Sequence, residues 1–357
     1  MEWMILIAAL FLAFSNGAND NFKGFATVWG SDTLNYRQAL ALATVATVAG
    51  SLAALFLAET LVQNFSGKGL VADAVVNTPL FMLSVASGAA FTIFLATRLG
   101  YPVSTTHALI GGLLGAGLAQ ADGAVQLGKL TQTFLMPLLL SPLLAAVLGA
   151  LAYTAFRLHA AEDDCLCVVQ PELSVAAPVL QSVSLPLPGI VLGSNADCAT
   201  LPATSRFSIA RWLDKLHILS GMAICFARGV NDTPKMVALL LAASLTDAQT
   251  SVWLLAAAMA LGGVVFAKRV AERMSHRVTR MDHGQGLTAN LITAGLVLFA
   301  SKLGVPVSTT HVSVGSIAGV GMRANTLDWT SLRQILLSWL ATLPLAAALA
   351  FTISRFW

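Results

Sequence analysis

The chain is dominated by apolar runs too long and too continuous for the core of a water-soluble domain. A first run spans Trp3 to Phe14, breaks at Ser15-Asn16-Gly17-Ala18-Asn19-Asp20 and resumes weakly to Trp29. Further candidate spans lie at 38–62, 79–99, 103–118, 132–157, 212–230, 233–246, 249–268, 286–303, 305–322 and 334–355. About 20 apolar residues cross a bilayer as a helix, so several of these are shorter than a full crossing. In hydrocarbon every backbone N–H and C=O has to be satisfied within the protein, which leaves helices and closed barrels. Barrel strands alternate apolar and polar positions, and these Leu/Ala-rich runs do not. The expected fold is all-α, a polytopic helical membrane protein.

Charge agrees with this. Only 10% of the 357 residues are charged and 57% are hydrophobic, against about 25% charged in an average soluble domain. A disordered chain, a disulfide-rich secreted scaffold and a nucleic-acid binder are excluded. No Walker A sequence, metal-ligand cluster or nucleophile–base set suggests an enzyme.

One stretch differs. Residues 158–210 hold Glu162, Asp163, Asp164, Glu172 and Asp197, with prolines at 171, 178, 186, 188 and 202. This reads as a polar cytoplasmic linker between a first membrane repeat, 1–157, and a second, 211–357. Cys165, Cys167 and Cys198 lie within it. They are read as reduced thiols, because the other ligands of a zinc site are not evident.

The two halves share motifs. Motif A, Gly17-Ala18-Asn19-Asp20-Asn21-Phe22-Lys23, matches Gly229-Val230-Asn231-Asp232-Thr233-Pro234-Lys235. Motif B, Gly100-Tyr101-Pro102-Val103-Ser104-Thr105-Thr106-His107, matches Gly304-Val305-Pro306-Val307-Ser308-Thr309-Thr310-His311. Behind motif B, Gly111, Gly115 and Gly117 match Gly315, Gly319 and Gly321, a spacing typical of close helix packing. Repeats in a helical membrane protein point to a transporter with its site at the repeat interface. Loop 268–283 carries Lys268, Arg269, Arg273, Arg277 and Arg280, whereas the equivalent loop 64–79 carries Lys68 and Asp73. By the positive-inside rule these loops face opposite sides, so the repeats are expected to be inverted. The N-terminus then lies outside, and segments 79–99 and 103–118 either cross or form a re-entrant hairpin.

Both motifs carry chemistry. Motif A sets Asp and Lys three residues apart in an apolar segment, and ionisable groups at membrane depth mark function by default. A purely structural ion pair over one helical turn is the plainer alternative. Asp232 and Pro234 also suit a helix start, so a broken span is expected there. In motif B, Pro breaks the backbone and Ser104 or Thr105, like Ser308 or Thr309, can cap a new helix. Their hydroxyls and the free N–H groups suit a tetrahedral oxyanion, and a hydroxyl also ligates sodium. His107 and His311 are either proton carriers or hydrogen-bonded packing residues. Arg98 and Lys302 attract an anion or snorkel at helix ends. Arg228 abuts motif A in the second half only.

These doubled motifs together resemble the inorganic phosphate transporter (PiT) family, across essentially the whole membrane part. The resemblance implies an inverted-repeat helical fold and secondary transport of phosphate coupled to sodium or protons, with the site built from both motifs. Carried over residue by residue, it implicates Asn19, Asp20, Ser104, Thr105, Thr106, Asn231, Asp232, Ser308, Thr309 and Thr310, and Lys23 and Lys235 complete the expected substrate site. Coupling-ion positions are Asp20, Asp232, His107 and His311, with sodium, where used, at Asp20, Asp232, Ser104 and Ser308. No other cofactor is expected. The partners are phosphate, a coupling cation and the lipid of a plasma (inner) membrane, with no nucleic acid; a homodimer is admissible.

There is one departure. In sodium-coupled members motif A reads Gly-Ala-Asn-Asp-Val-Ala-Asn-Ala, and the second Asn is here Lys23 and Lys235. Either each ammonium fills a sodium position, favouring proton coupling or reduced sodium dependence, or the lysines contact the anion. A sulfate or other oxyanion permease on the same fold is the alternative substrate reading. Phosphate keeps a proton that an acceptor such as Asp20 can take up in a hydrogen bond, which favours phosphate. A channel or sensor is a more distant alternative.

Overall fold

The computed structural model describes residues 1–120, 125–159, 165–169, 189–193, 203–278 and 281–357. Among the described residues there are ten long helices: α1 Glu2–Asp20, α2 Tyr36–Leu57, α3 Pro79–Arg98, α4 Thr105–Gln120, α5 Met136–His159, α6 Ile209–Ala242, α7 Ala248–Phe266, α8 His283–Lys302, α9 Thr309–Ala324 and α10 Trp329–Phe356. Among the described residues, seven helical segments are long and apolar enough to cross a membrane. Helices α4 and α9 have 16 residues each, about 24 Å, short of the ~30 Å hydrocarbon core.

The helix starts follow from local chemistry. Asn35 and Asp282 each close a capping box, with Gln38 and Gln285 respectively. Asp247 and Asp328 cap α7 and α10, and Thr78 caps α3 with Pro79 in its first turn. Helices α3 and α8 end alike. Gly100 and Gly304 have φ of +75° and +70°, and the following N–H groups of Tyr101 and Val305 reach back to Ala96 and Ala300 at 2.9 Å. This is a Schellman ending, in which glycine takes the left-handed position without a Cβ clash. It turns the chain into the extended Pro-Val-Ser segment of motif B.

The packing is reciprocal between the halves. Helix α1 packs on α3 and α7, and α6 packs on α8 and α2. Helix α4 packs on α3 and α10, and α9 packs on α8 and α5. Close approach at glycine makes these contacts. A Cβ on Gly17 would lie 1.9 Å from the Met259 carbonyl oxygen, and one on Gly229 would lie 2.4 Å from that of Thr47. Behind motif B, Gly111, Gly115, Gly315 and Gly319 meet neighbouring backbones in the same way, so their role is helix packing. The outer face is apolar: Leu139, Leu140, Leu143, Leu144, Val147 and Leu151 of α5 are all exposed. In water such a face would drive aggregation; in lipid it is the expected surface. By contrast, 67% of the most apolar stretch of both α3 and α8 is buried inside the protein.

Several expectations change. Helix α1 does not break at Ser15 but runs on to Asp20, because Asn16, Asn19 and Asp20 find polar partners across helix interfaces. The break falls at Asn21-Phe22, followed by a 3-10 turn Lys23–Phe25 and a short helix Ala26–Gly30. The two spans expected at 212–230 and 233–246 are one helix, α6. Pro234 lies inside it, and Asp232 does not cap a helix because its carboxylate is taken by Lys235, Asn231 and Asn16. Neighbouring helices make such a proline tolerable in a membrane helix. The basic loop after α7 contains the helix Lys268–His276.

The stretch expected as a linker contains strands. Strands β1 Cys165–Val169, β2 Gly189–Gly193 and β3 Ala203–Ser208 form an antiparallel sheet in the order β2-β1-β3. The Val and Ile content of β1 and β2 suits strands, but the polar surroundings mask it. Cys167 is disulfide-bonded, contrary to the expected reduced thiol. Arg280, Glu162, Asp163, Asp164, Glu172, Asp197, Cys198 and the prolines at 171, 178, 186, 188 and 202 lie outside the described residues.

The glycine contacts generate a test. A Cβ on Gly115 would lie 2.0 Å from the Ala347 carbonyl oxygen, and one on Gly319 would lie 2.0 Å from that of Ala146. Gly115→Val and Gly319→Val should each destabilise the protein by about 3 kcal/mol, at the upper end of overpacking effects. Thermal unfolding in detergent measures this, and Gly128→Val, where a Cβ meets nothing within 4 Å, should be silent.

Candidate functional site

The helix ends and turns of both motifs converge at the centre of the bundle. Asp20 ends α1 and Lys23 opens the 3-10 turn beyond it, whereas Asp232 and Lys235 sit one turn apart within α6. Motif B delivers Val103, Ser104, Val307 and Ser308 from the extended segments before α4 and α9, and Thr105, Thr106, Thr309 and Thr310 from the first turns of those helices. Every one of these side chains is buried.

Two mirrored clusters result. The Lys23 ammonium donates to the Asp20 carboxylate, to Asn19 Oδ1 at 3.1 Å, to the Val103 carbonyl at 2.9 Å and to the Thr310 hydroxyl. The Lys235 ammonium donates to Asp232 Oδ1 at 3.2 Å, to the Val307 carbonyl at 3.0 Å and to Thr106 Oγ1 at 2.8 Å. In each cluster the carboxylate and the carbonyl come from the lysine's own half and the hydroxyl from the other half. Each hydroxyl in turn donates to the carbonyl of the half it visits: Thr310 to Val103 at 2.8 Å and Thr106 to Val307 at 3.1 Å.

The asparagines hold the motifs together. Asn19 donates to Thr97 at 2.9 Å and to the Tyr101 carbonyl at 3.0 Å, and accepts from the Val103 N–H at 3.0 Å. Asn231 donates to the Val307 carbonyl and to Thr309, both at 3.3 Å, and accepts from Ser301 at 3.2 Å. Thr105 donates to Asp20 at 3.3 Å. Ser104 and Ser308 are the helix caps, accepting from the N–H groups of His107 and His311 at 3.1 and 3.2 Å.

Two residues outside the expected set join the clusters. Asn16 donates to Thr105 at 2.7 Å, to Asp232 at 3.1 Å and to Asp20 at 3.4 Å. Arg228 donates to Asn16 at 2.7 Å and to Asn21 and Thr47 at 3.2 Å, with Nε 3.7 Å from Asp232. The sequence carries a signal for both: the repeat offset aligns Asn16 with Arg228, each directly before the motif A glycine. They are equivalent positions that differ and bond to each other. Arg98 and Lys302 are exposed at helix ends and stand apart from this centre.

The histidines form a separate pair. Their rings lie 4.5 Å apart between centroids, and His311 stacks on Trp339 at 3.8 Å. His311 Nδ1 lies 3.4 Å from the Leu138 carbonyl. Among the described residues, neither imidazole bonds to Asp20 or Asp232, and His107 Nδ1 and His311 Nε2 have no hydrogen-bond partner.

A sealed, charged centre inside an apolar-surfaced helical bundle defines a membrane protein that handles a polar solute, because buried charges without such a task are costly. The phosphate transporter family matches residues 16–350, and the chain belongs to that family, one of transporters and not enzymes. A Thermococcus kodakarensis protein provisionally named a phosphate permease is 28% identical, with 98% of this chain and 96% of that one covered. The chloroplastic inorganic phosphate transporter 2-1 of Arabidopsis thaliana is 27% identical, with 98% of this chain and 71% of that one covered. A solved structure, described as the sodium-dependent phosphate transporter, superposes with a TM-score of 0.76 at 21% identity, covering 99% and 98% of the two chains. The fold is thus that of this multi-pass helical transporter structure.

Breaking one buried pair should be costly. Asp20→Ala leaves the Lys23 ammonium without its carboxylate, for an expected loss of about 3–5 kcal/mol. The double variant Asp20→Ala with Lys23→Met should recover most of that loss in thermal unfolding, since the orphaned charge is gone.

Proposed function

We propose that this chain carries inorganic phosphate across a plasma (inner) membrane by cation-coupled secondary transport, with alternating access around a site between two inverted repeats. The observation that carries the reading is a charge imbalance. Among the described residues, the centre holds three buried cations, Lys23, Lys235 and Arg228, against two buried carboxylates, Asp20 and Asp232. One positive charge is left over where hydrocarbon surrounds the protein, and an anion offsets it. The hydroxyls of Thr105, Thr106, Thr309 and Thr310 border the same centre and supply adaptable donors and acceptors for a tetrahedral oxyanion. Family membership and the names of the relatives favour phosphate over sulfate. So does the presence of carboxylates, which accept from a protonated phosphate oxygen and repel sulfate.

The reciprocal helix packing supports two structurally equivalent repeats, 1–157 and 211–357, and the basic helix Lys268–His276 supports their inversion. The linker 158–210 then lies on the cytoplasmic side. The coupling cation is assigned to the titratable groups of the centre, Asp20 and Asp232, and to the His107–His311 pair, a further contact between the halves.

Reconstituted vesicles test the assignment. Labelled phosphate should accumulate above its own electrochemical gradient, and excess sulfate should compete poorly. Asp20→Asn and Asp232→Asn should each lower uptake by about tenfold or more, as expected when a buried charged partner is lost. Normal transport by both variants would show that the site lies elsewhere. For the topology, single cysteines at Lys68 and Arg277, both exposed, should react with an impermeant reagent from opposite sides.

A further inference from the structure

We propose that Lys23 and Lys235 are built-in cations that occupy two sodium-type cages, so that this transporter works without sodium at those positions. The inference deepens the phosphate-transport reading and rests on it for its transport arm. The starting point is the ligand chemistry. Each hydrogen-bond partner of the ammoniums is an oxygen, with the Phe65 ring 5.6 Å from Lys235 Nζ as one further neighbour, and the sets are alike: a carboxylate (Asp20, Asp232), a backbone carbonyl of motif B (Val103, Val307) and a threonine hydroxyl from the other half (Thr310, Thr106). Asn19 Oδ1 adds a fourth oxygen around Lys23. Carboxylate, carbonyl, amide and hydroxyl oxygens gathered beside an interrupted span, here the extended segments of motif B, are donors of the kind that hold sodium in membrane transporters. Nothing in either set requires an ammonium in particular.

The centre of each cage is nevertheless taken. The three protons of the Lys235 ammonium meet three oxygens, 2.8–3.2 Å away, so its hydrogen bonding is complete. A cation on a short covalent stem has an effective concentration that a free ion in solution cannot match. A sodium ion entering beside the ammonium would face a like charge about 4 Å away, which at a protein-like dielectric weakens binding about a thousandfold. The residues therefore do not fit sodium at these two places. The solved relative is described as sodium-dependent, whereas here ammoniums already fill both oxygen sets. The carboxylates are neutralised permanently, and coupling, where present, has to use another ion or another place.

Two measurements test this, one of them independent of transport. In thermal unfolding at equal ionic strength, replacing choline by sodium should leave the wild-type transition unchanged. Lys23→Asn and Lys235→Asn, which restore a neutral oxygen and open the cage, should be stabilised by sodium; Lys23→Met and Lys235→Met, which supply no oxygen ligand, should respond less. A wild-type protein that sodium stabilises as much as it does the Asn variants would overturn the inference whether or not phosphate is the substrate. In vesicles at fixed pH, wild-type phosphate uptake should differ by no more than about twofold between sodium and choline, and the Asn variants should lose about tenfold in choline and regain most of it in sodium. Steep sodium dependence of the wild type, or Asn variants equally inactive in both media, would sink the built-in cation. Absence of phosphate uptake in every medium would instead remove the transport reading and leave the unfolding measurement to decide.

Discussion

Everything at the centre of this protein depends on keeping two lysine ammoniums and two aspartates charged where no water helps them. Removing an ion pair from water carries a desolvation cost that its own attraction offsets only when every remaining donor and acceptor is satisfied. Here the satisfaction is shared across the molecule. Each ammonium completes its shell with a carbonyl from its own half and a hydroxyl from the other. Neither half can therefore build a stable centre alone, and the interface between them is also where the charges find their partners.

That demand explains features far from the charges. For Thr310 to reach Lys23, and Thr106 to reach Lys235, the short helices α4 and α9 have to begin at the same depth and pack tightly on the opposite half. The glycines of α4 and α9 allow backbones to touch α10 and α5, and Gly17 and Gly229 do the same for α1 and α6. The Schellman endings at Gly100 and Gly304 aim the extended segments so that the carbonyls of Val103 and Val307 point at the ammoniums. Small residues, polar pairs and chain reversals are thus consequences of a single electrostatic requirement.

Much of this is legible in the sequence, because the repeat prints the constraint twice. The helical membrane class follows from backbone physics, and the doubled motifs name most of the residues that meet. What the sequence hides are exchanges between halves. Motif spacing shows that Lys23 and Asp20 share a turn, but not that Thr310 completes the shell. The continuity of α6 through Pro234 is also hidden. A proline and an aspartate read locally as a helix start, whereas the aspartate is held by lysine and asparagine side chains, so tertiary partners override the local signal. The strands of the linker are obscured because a polar, proline-rich composition outweighs short runs such as Cys165–Val169.

The place where the repeat fails is as informative as the places where it holds. The repeated residues alone pair two lysines with two aspartates and leave no net charge for an anion to meet. The equivalent positions before motif A hold Asn16 in one half and Arg228 in the other, and the two bond at 2.7 Å. An arginine at both positions would bring two guanidiniums together, and an asparagine at both would leave the centre neutral. One of each supplies a single uncompensated charge while Asn16 still bridges the two carboxylates. On the proposed reading, the symmetric lysine cages keep the aspartates neutralised without a mobile metal ion, and the asymmetric Asn16–Arg228 pair gives the site its preference for an anion. The two halves then need not contribute equally to binding, even though they pack as equivalents.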